Sequence, residues 1–299
     1  MALVRSFDAK FATRSAFSFL PSLFRFPALV WANRFMVQNF LRRDLMSRVN
    51  GSVLGLGWML VRPLCMFALF YLVFGFVLGP RTGTGEPKPE FAIFMFLGIL
   101  AFSAIVEATT AACSVIVDNG NLVKKVAFPS EVLLVHVALV SQVVYLVAVT
   151  VAFVIGWSVG ILQPGLGLLA FPLVLLIQLV FVLGLGMLLA NLNVFARDTA
   201  QLWGLIAQGW MFLSPVFLHP AQIQAVATTD FLKDAVAVIE NVNPAWALLQ
   251  ANRLSLGLQD PDIGALWPQL GKASLFALGF LLVGYTTFMS RKHKFADVI

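Results

Sequence analysis

The sequence predicts an all-α, polytopic membrane protein, and three observations carry that prediction. Of the 299 residues, 60% are hydrophobic and only 11% are charged, against about 25% charged in an ordinary soluble domain. The 65 residues from Val132 to Ala196 contain no Asp, Glu, Lys or Arg, whereas one membrane-crossing helix needs only about 20 apolar residues. The apolar runs show no strand-like alternation. So few charges cannot make a water-facing surface on a chain of this length. A soluble enzyme, a disordered chain and a small secreted scaffold are excluded.

Residues 1–50 read as a cytoplasmic leader. Its apolar stretch Phe17–Trp31 is broken by Pro21, Arg25 and Pro27, so it is not a cleavable signal peptide. Within it, Ala28–Arg43 sets Leu29, Met36, Val37, Phe40 and Leu41 on one helical face, with Arg34, Gln38 and Arg42 opposite. This is the pattern of an amphipathic helix lying in the membrane interface, where Trp31 and Phe35 suit the headgroup layer.

Residues 51–299 read as a six-span domain. The first two spans, about 53–79 and 91–116, flank the polar, Gly/Pro-rich segment Arg81–Glu90. The long uncharged stretch divides at Gln163-Pro164-Gly165 into spans of about 132–159 and 168–194. A fifth falls at about 200–217 and a sixth at about 270–289. Between the last two lie 51 residues, 218–268, too many for a structureless loop without a function. Their apolar runs Ile223–Ala227, Phe231–Ile239 and Ala245–Leu258 are too short or too polar to span. They predict short re-entrant or interfacial helices, broken at Pro220 and Asn243-Pro244. Irregular backbone at membrane depth needs cover from protein or a watery cavity, which suggests a gate built around Pro215, Pro220, Asn243 and Pro244.

An even number of spans puts both termini on one side. That side then holds 14 of the 20 Lys and Arg, while Arg81, Lys88, Lys233, Arg253 and Lys272 lie on the other and Arg62 lies in a span. Positive charge marks the cytoplasmic side, so both termini are expected there. The net charge of +6 is this bias and not a nucleic-acid footprint.

No catalytic constellation stands out. Cys65, Cys113 and three scattered histidines give neither a disulfide framework nor metal-ligand spacing. Gly271-Lys272-Ala273 lacks the upstream glycine and the hydroxyl of a phosphate loop. Gly184-Leu185-Gly186 lies inside a span and reads as small residues at a helix contact, as do Gly51-x-x-x-Gly55, Gly75-x-x-x-Gly79 and Gly156-x-x-x-Gly160. Asp260-Pro261-Asp262 resembles the acidic pair of sugar transferases, but proline there favours a turn. Asn50-Gly51-Ser52 matches a glycosylation acceptor but reads as a turn before the first span. The 28 phenylalanines could line a pathway, although core packing and lipid contact are their ordinary use. Two charges fall inside spans, Arg62 and Glu107, each about 15 Å from the cytoplasmic end by helical rise. A salt bridge, a shared polar pathway and a purely structural pair all remain open for them.

Several segments together are distinctive. They are Arg43-Asp44, Gly51-Ser52-Val53-Leu54-Gly55, Trp58 and Pro63-Leu64, then Asn121-Leu122-Val123-Lys124-Lys125-Val126 with Phe128-Pro129. Asn193-Val194-Phe195 with Arg197-Asp198, Ser214-Pro215-Val216-Phe217, Asn243-Pro244 and the ending Phe295-Ala296-Asp297 follow in order. From about residue 35 onward the chain resembles the permease subunits of polysaccharide-export ABC transporters.

That resemblance implies export of a lipid-linked glycan of O-antigen, capsule or teichoic-acid type across the bacterial inner membrane. It implies a homodimer with two copies of a separate ATPase, which would hold the ATP and Mg, leaving this chain without a cofactor. It makes Asn121, Leu122, Val123, Lys124, Lys125, Phe128 and Pro129 an ATPase-coupling segment, with the interfacial helix beside it. Arg197 and Asp198 become the cytoplasmic loop after span four, and 218–268 becomes short gate helices at the outer mouth. Arg62 departs from the family, which often has an uncharged polar residue there, and residues 1–27 lie outside the resemblance. Three competing readings are a permease for a small lipid or drug, a glycosyltransferase acting on a polyprenyl carrier, and a proton-coupled carrier. The transferase would need Asp260, Asp262, Asp230 and Asp234 to cluster beside basic residues; the carrier rests on a single intramembrane acid and no internal repeat.

Overall fold

The structure is a computed structural model, and it describes residues 19–47, 55–77, 88–125, 129–217, 229–258 and 263–299. Among the described residues every regular element is helical. The described residues open with three helices, α1 (Leu20–Leu23), α2 (Phe26–Ala32) and α3 (Arg34–Ser47). The predicted interfacial helix is therefore two helices divided at Asn33, whose side-chain amide donates to Leu29 O at 2.8 Å and competes with the helical ladder there. Val37 is buried while Arg34, Gln38 and Arg42 are exposed, as the amphipathic pattern predicts. The leader also does more than precede the fold. Phe26 stacks edge-on to Tyr285 at 5.5 Å, and the Tyr285 hydroxyl donates to Ser22 O at 3.2 Å.

On the first predicted span lies α4 (Trp58–Phe70), which continues as a wider π turn over Tyr71–Val77. Next comes α5 (Pro89–Asp118), begun by a proline at its first turn and by Glu90, both favourable at a helix start. A short α6 (Gly120–Lys125) leads to α7 (Glu131–Ser158). The Gly156-x-x-x-Gly160 pair, expected at a helix contact, instead stops α7. Gly160 has φ +79° with nothing packed on it, and Leu162 N–H returns to Gly156 O at 3.0 Å. Glycine tolerates that backbone where other residues do not. A 3-10 turn (Leu166–Ala170) opens into α8 (Phe171–Phe195).

The fifth predicted span is short: α9 (Thr199–Phe212) has 14 residues. It ends in a turn at Ser214-Pro215, because proline removes a helical donor and disfavours helix before it. The described part of 218–268, the segment predicted to be external, holds α10 (Asp230–Val242) and α11 (Pro244–Ser255), so the predicted break at Asn243-Pro244 falls between two helices. Pro220 lies outside the described residues. The final long helix, α12 (Ile263–Arg291), starts seven residues before the predicted span and includes Pro268 in its second turn, where the ring removes one helical donor. A last turn, α13 (Phe295–Val298), follows.

Among the described residues, four helical segments are long and apolar enough to cross a membrane, Glu90–Asp118, Glu131–Ser158, Leu166–Phe195 and Gly264–Val298. They form the centre of the bundle, with α5 against α7 and α8, and α8 against α12. The α8–α12 crossing is the closest. A methyl on Gly284 would overlap the Gly184 carbonyl, and one on Gly184 would overlap the backbone of Leu281. The expectation of small residues at a helix contact holds for Gly184. Many phenylalanines pack in this core: Phe70 meets Phe217 at 4.5 Å, Phe67 meets Phe96 at 4.8 Å and Phe181 meets Phe280 at 5.3 Å.

Candidate functional site

Two polar regions stand out, one at each end of the bundle. At the end where α5 begins and α7 finishes, α11 folds back between α5, α8 and α12. Its Ala245, Leu248, Leu249 and Ala251 are fully buried. Sequence reasoning placed Arg253 among external loop charges. The structure corrects this, because Arg253 is 1% exposed and buried inside the bundle. Its guanidinium donates to Pro215 O at 2.6 Å, Phe94 O at 3.0 Å and Val216 O at 3.2 Å, and it lies 3.4 Å from the centre of the Phe94 ring. Burying a cation this deeply is tolerable only where its donors are met.

Beside it, Asn252 accepts from the Tyr145 hydroxyl at 2.6 Å and donates to Gln178 Oε1 at 3.2 Å. This joins α7, α8 and α11 through one buried amide. Three of the four predicted gate residues come together at the same end. Asn243 accepts from Trp210 Nε1 at 2.7 Å and donates to Leu213 O and Ser214 Oγ, both at 3.0 Å. Pro215 follows directly and Pro244 begins α11. Ser214 completes the hub by donating to Trp210 O at 2.8 Å.

The opposite end gathers the predicted coupling segment. Asn121 and Lys124 are exposed on α6, while Leu122, Val123 and Pro129 are half-buried. Lys125 closes α6, but its side chain, like Phe128 entirely, lies outside the described residues. The C-terminus packs on this segment: Ile299 sits where a side chain on Gly120 would go, and α13 lies against α6. Phe295 meets Phe288 at 5.1 Å and Phe195 at 6.1 Å, and Arg291 lies over the Phe195 ring at 5.6 Å. Arg197 and Asp198 are exposed on the adjoining turn.

An ion pair and a histidine–carboxylate hydrogen bond, neither of them legible in the sequence, fasten this end. Lys292 Nζ lies 2.6 Å from Glu131, whose side chain is 1% exposed, and His136 Nε2 lies 3.1 Å from Asp44. The first ties α12 to the start of α7, and the second ties α3 to α7. Of the predicted intramembrane pair, Glu107 is half-buried on α5, and the Arg62 side chain lies outside the described residues.

The Glu131–Lys292 pair gives a direct prediction. Glu131→Ala leaves the ammonium without its charged acceptor and should cost about 2 kcal/mol, the scale of a charge-assisted hydrogen bond. Thermal unfolding in detergent should show the loss, with Glu131→Gln intermediate and the Glu131→Ala/Lys292→Met double variant less affected than the two single losses together.

Long apolar helices packed into one bundle define a multi-pass helical membrane protein. Residues 37–229 match the ABC-2 type transporter family, and the chain belongs to that family. Such a chain is the membrane subunit of a transporter, not an enzyme, and partners with an ABC ATPase. The chain is 27% identical over 266 residues to the O-antigen export system permease protein RfbA of Myxococcus xanthus, covering 89% of this chain and 96% of that protein. It is 21% identical over 260 residues to the Klebsiella pneumoniae protein of the same name, covering 86% and 92% respectively.

Proposed function

We propose that this chain is the transmembrane subunit of an ATP-driven exporter that moves a lipid-linked polysaccharide of O-antigen type from the cytoplasm across the inner membrane. It works as a homodimer with two ATPase subunits, and both termini face the cytoplasm. The observation that carries this reading is similarity along nearly the whole chain to O-antigen export permeases of two organisms. The distribution of Lys and Arg supports the orientation. The exposed Trp31 and Phe35, with Arg34 Cζ lying 4.6 Å from the Phe35 ring centre, support placing α2 and α3 in the interface.

In this reading α6 and the residues up to Pro129 receive the ATPase stroke. The packing of α13 on α6, and the Lys292–Glu131 pair, pass it to α12 and α7 as a connected unit. The segment 218–268 forms the outer gate.

The test is a strain lacking this chain, which should retain undecorated, lipid-linked polymer inside the cell and recover surface polymer on complementation. Complementation by Lys124→Glu/Phe128→Ala should restore normal levels of membrane protein but less than a tenth of the export. Normal export from that variant would reject the coupling assignment, and normal surface polymer in the deletion strain would reject the function.

A further inference from the structure

We propose that Arg253 is a positioning residue that welds α11 to α5 and to the turn after α9, so that opening of the outer gate is confined to α10 turning about Asn243. The word gate rests on the exporter reading above; the mechanical division does not.

The two helices of the external segment are built differently. Along α11, Ala245, Leu248, Leu249, Ala251 and Ser255 have no exposed surface. Two adjacent side chains hold the helix from opposite directions. Arg253 reaches α5 through Phe94 and the post-α9 turn through Pro215 and Val216. Asn252 reaches α7 through Tyr145 and α8 through Gln178. Gly98 faces the guanidinium, and a side chain there would collide with Arg253 Nη2. A helix clamped to four partners by desolvated polar groups cannot shift without leaving several of them unpaired.

By contrast, α10 lies on the surface. Phe231, Leu232, Val238 and Val242 form its apolar side and remain 79%, 42%, 59% and 64% exposed. Lys272 Nζ donates to Asn241 Oδ1 at 2.7 Å from α12, an exposed contact that costs little to break.

The joint between the two helices has the form of a hinge. Asn243 is extended (φ −84°, ψ 110°) and caps both helices, accepting at its side chain from Ala245 N–H and donating its own N–H to Ile239 O. Pro244 has no N–H to continue the ladder from α10 into α11. Backbone change at one or two residues is sufficient for a hinge. The pivot is itself fixed, because the Asn243 side chain is bound by Trp210, Leu213 and Ser214. Arg253 immobilises that same turn one residue further on, so it acts on the gate through the hinge and touches no cargo.

The experiment uses the full chain with its ATPase in lipid nanodiscs, with Cys65 and Cys113 replaced by serine. Spin labels on Lys233→Cys and Gly271→Cys read the distance from α10 to α12. A swing of about 20° about Asn243 moves the Lys233 end by about 5 Å, ten residues along a helix from the pivot. That shift is expected on adding ATP. A disulfide joining Gly167→Cys to Ser255→Cys, where the Gly167 Cβ position lies 3.6 Å from Ser255 Cα, fixes α11 and should leave the shift intact. Arg253→Lys keeps the charge and loses the planar fork, and it should broaden the distances and abolish the defined shift.

Three results would overturn the proposal: no ATP-dependent shift at all, a shift abolished by the 167–255 disulfide, or a normal shift in Arg253→Lys. The first two arms keep Arg253 in place, so a misfolded variant leaves the hinge tested. The distances need no polymer. A chain that moves as described while exporting no glycan would refute the assigned cargo and leave the hinge standing.

Discussion

Gly284→Ala should destabilise the folded protein sharply, because the new methyl would occupy the position of a backbone atom. The Cβ it adds would overlap the Gly184 carbonyl oxygen, and the reciprocal change at Gly184 would strike the backbone of Phe280 and Leu281. A side chain can change rotamer to make room, but a helix backbone can only be pushed away. Parting α8 from α12 forfeits dispersion contacts along their whole crossing. The cost should reach about 3 kcal/mol, the upper range for overpacking, out of a total stability of about 5–15 kcal/mol.

Gly279 supplies the control on the same helix, since nothing lies within 4 Å of its added Cβ. Gly279→Ala should be neutral or stabilising by about 0.5 kcal/mol, because alanine is the better helix former. Thermal unfolding in detergent should therefore move in opposite directions for the two variants, with Gly284→Ala lower by roughly 10 °C. Because the two glycines face one another, Gly184→Ala/Gly284→Ala should cost less than the two single changes summed. Equal melting for Gly284→Ala and Gly279→Ala would show that the crossing is not this close.

What the sequence could reveal follows from where each constraint is written. The helices α7 and α8 lie in the uncharged stretch and are divided by Gln163-Pro164-Gly165, so their existence and limits are local properties. The same is true of the break at Asn243-Pro244. Arg253 is the opposite case. Its acceptor at Phe94 lies 159 residues away in the chain, and only the folded bundle brings that carbonyl, Pro215 O and the Phe94 ring together. One local signal existed, a single arginine inside the apolar run Ala245–Leu258, but a charge in an external segment is ordinarily solvated.

Glu131 was hidden for a similar reason. It borders a span, where a carboxylate usually meets water, and its partner Lys292 is 161 residues distant. The early start of α12 was masked by Pro268, which reads as the end of a loop because proline normally breaks a helix, whereas here it sits inside one. The family motifs marked where the proposed coupling and gate segments lie along the chain. They did not say which of the two gate helices is buried.

The pairing of Gly98 with Arg253 gives a test of that buried helix. Gly98→Ala places its Cβ onto Arg253 Nη2 and 3.0 Å from Val216 O. The guanidinium cannot retract, because Pro215 O, Phe94 O and Val216 O hold it from other directions. Gly98→Ala alone should therefore cost about 2 kcal/mol, typical of overpacking a filled site. Arg253→Met alone removes the donor from Pro215 O and leaves a gap, for about 3 kcal/mol. In the double variant the alanine methyl occupies part of the space that the guanidinium leaves, so its steric cost largely disappears. The two changes should then be sub-additive by about 1–2 kcal/mol in a double-mutant cycle on thermal stability. Strict additivity would mean that Gly98 and Arg253 do not share one site. Sub-additivity would fix α11 against α5 at Gly98 and Arg253.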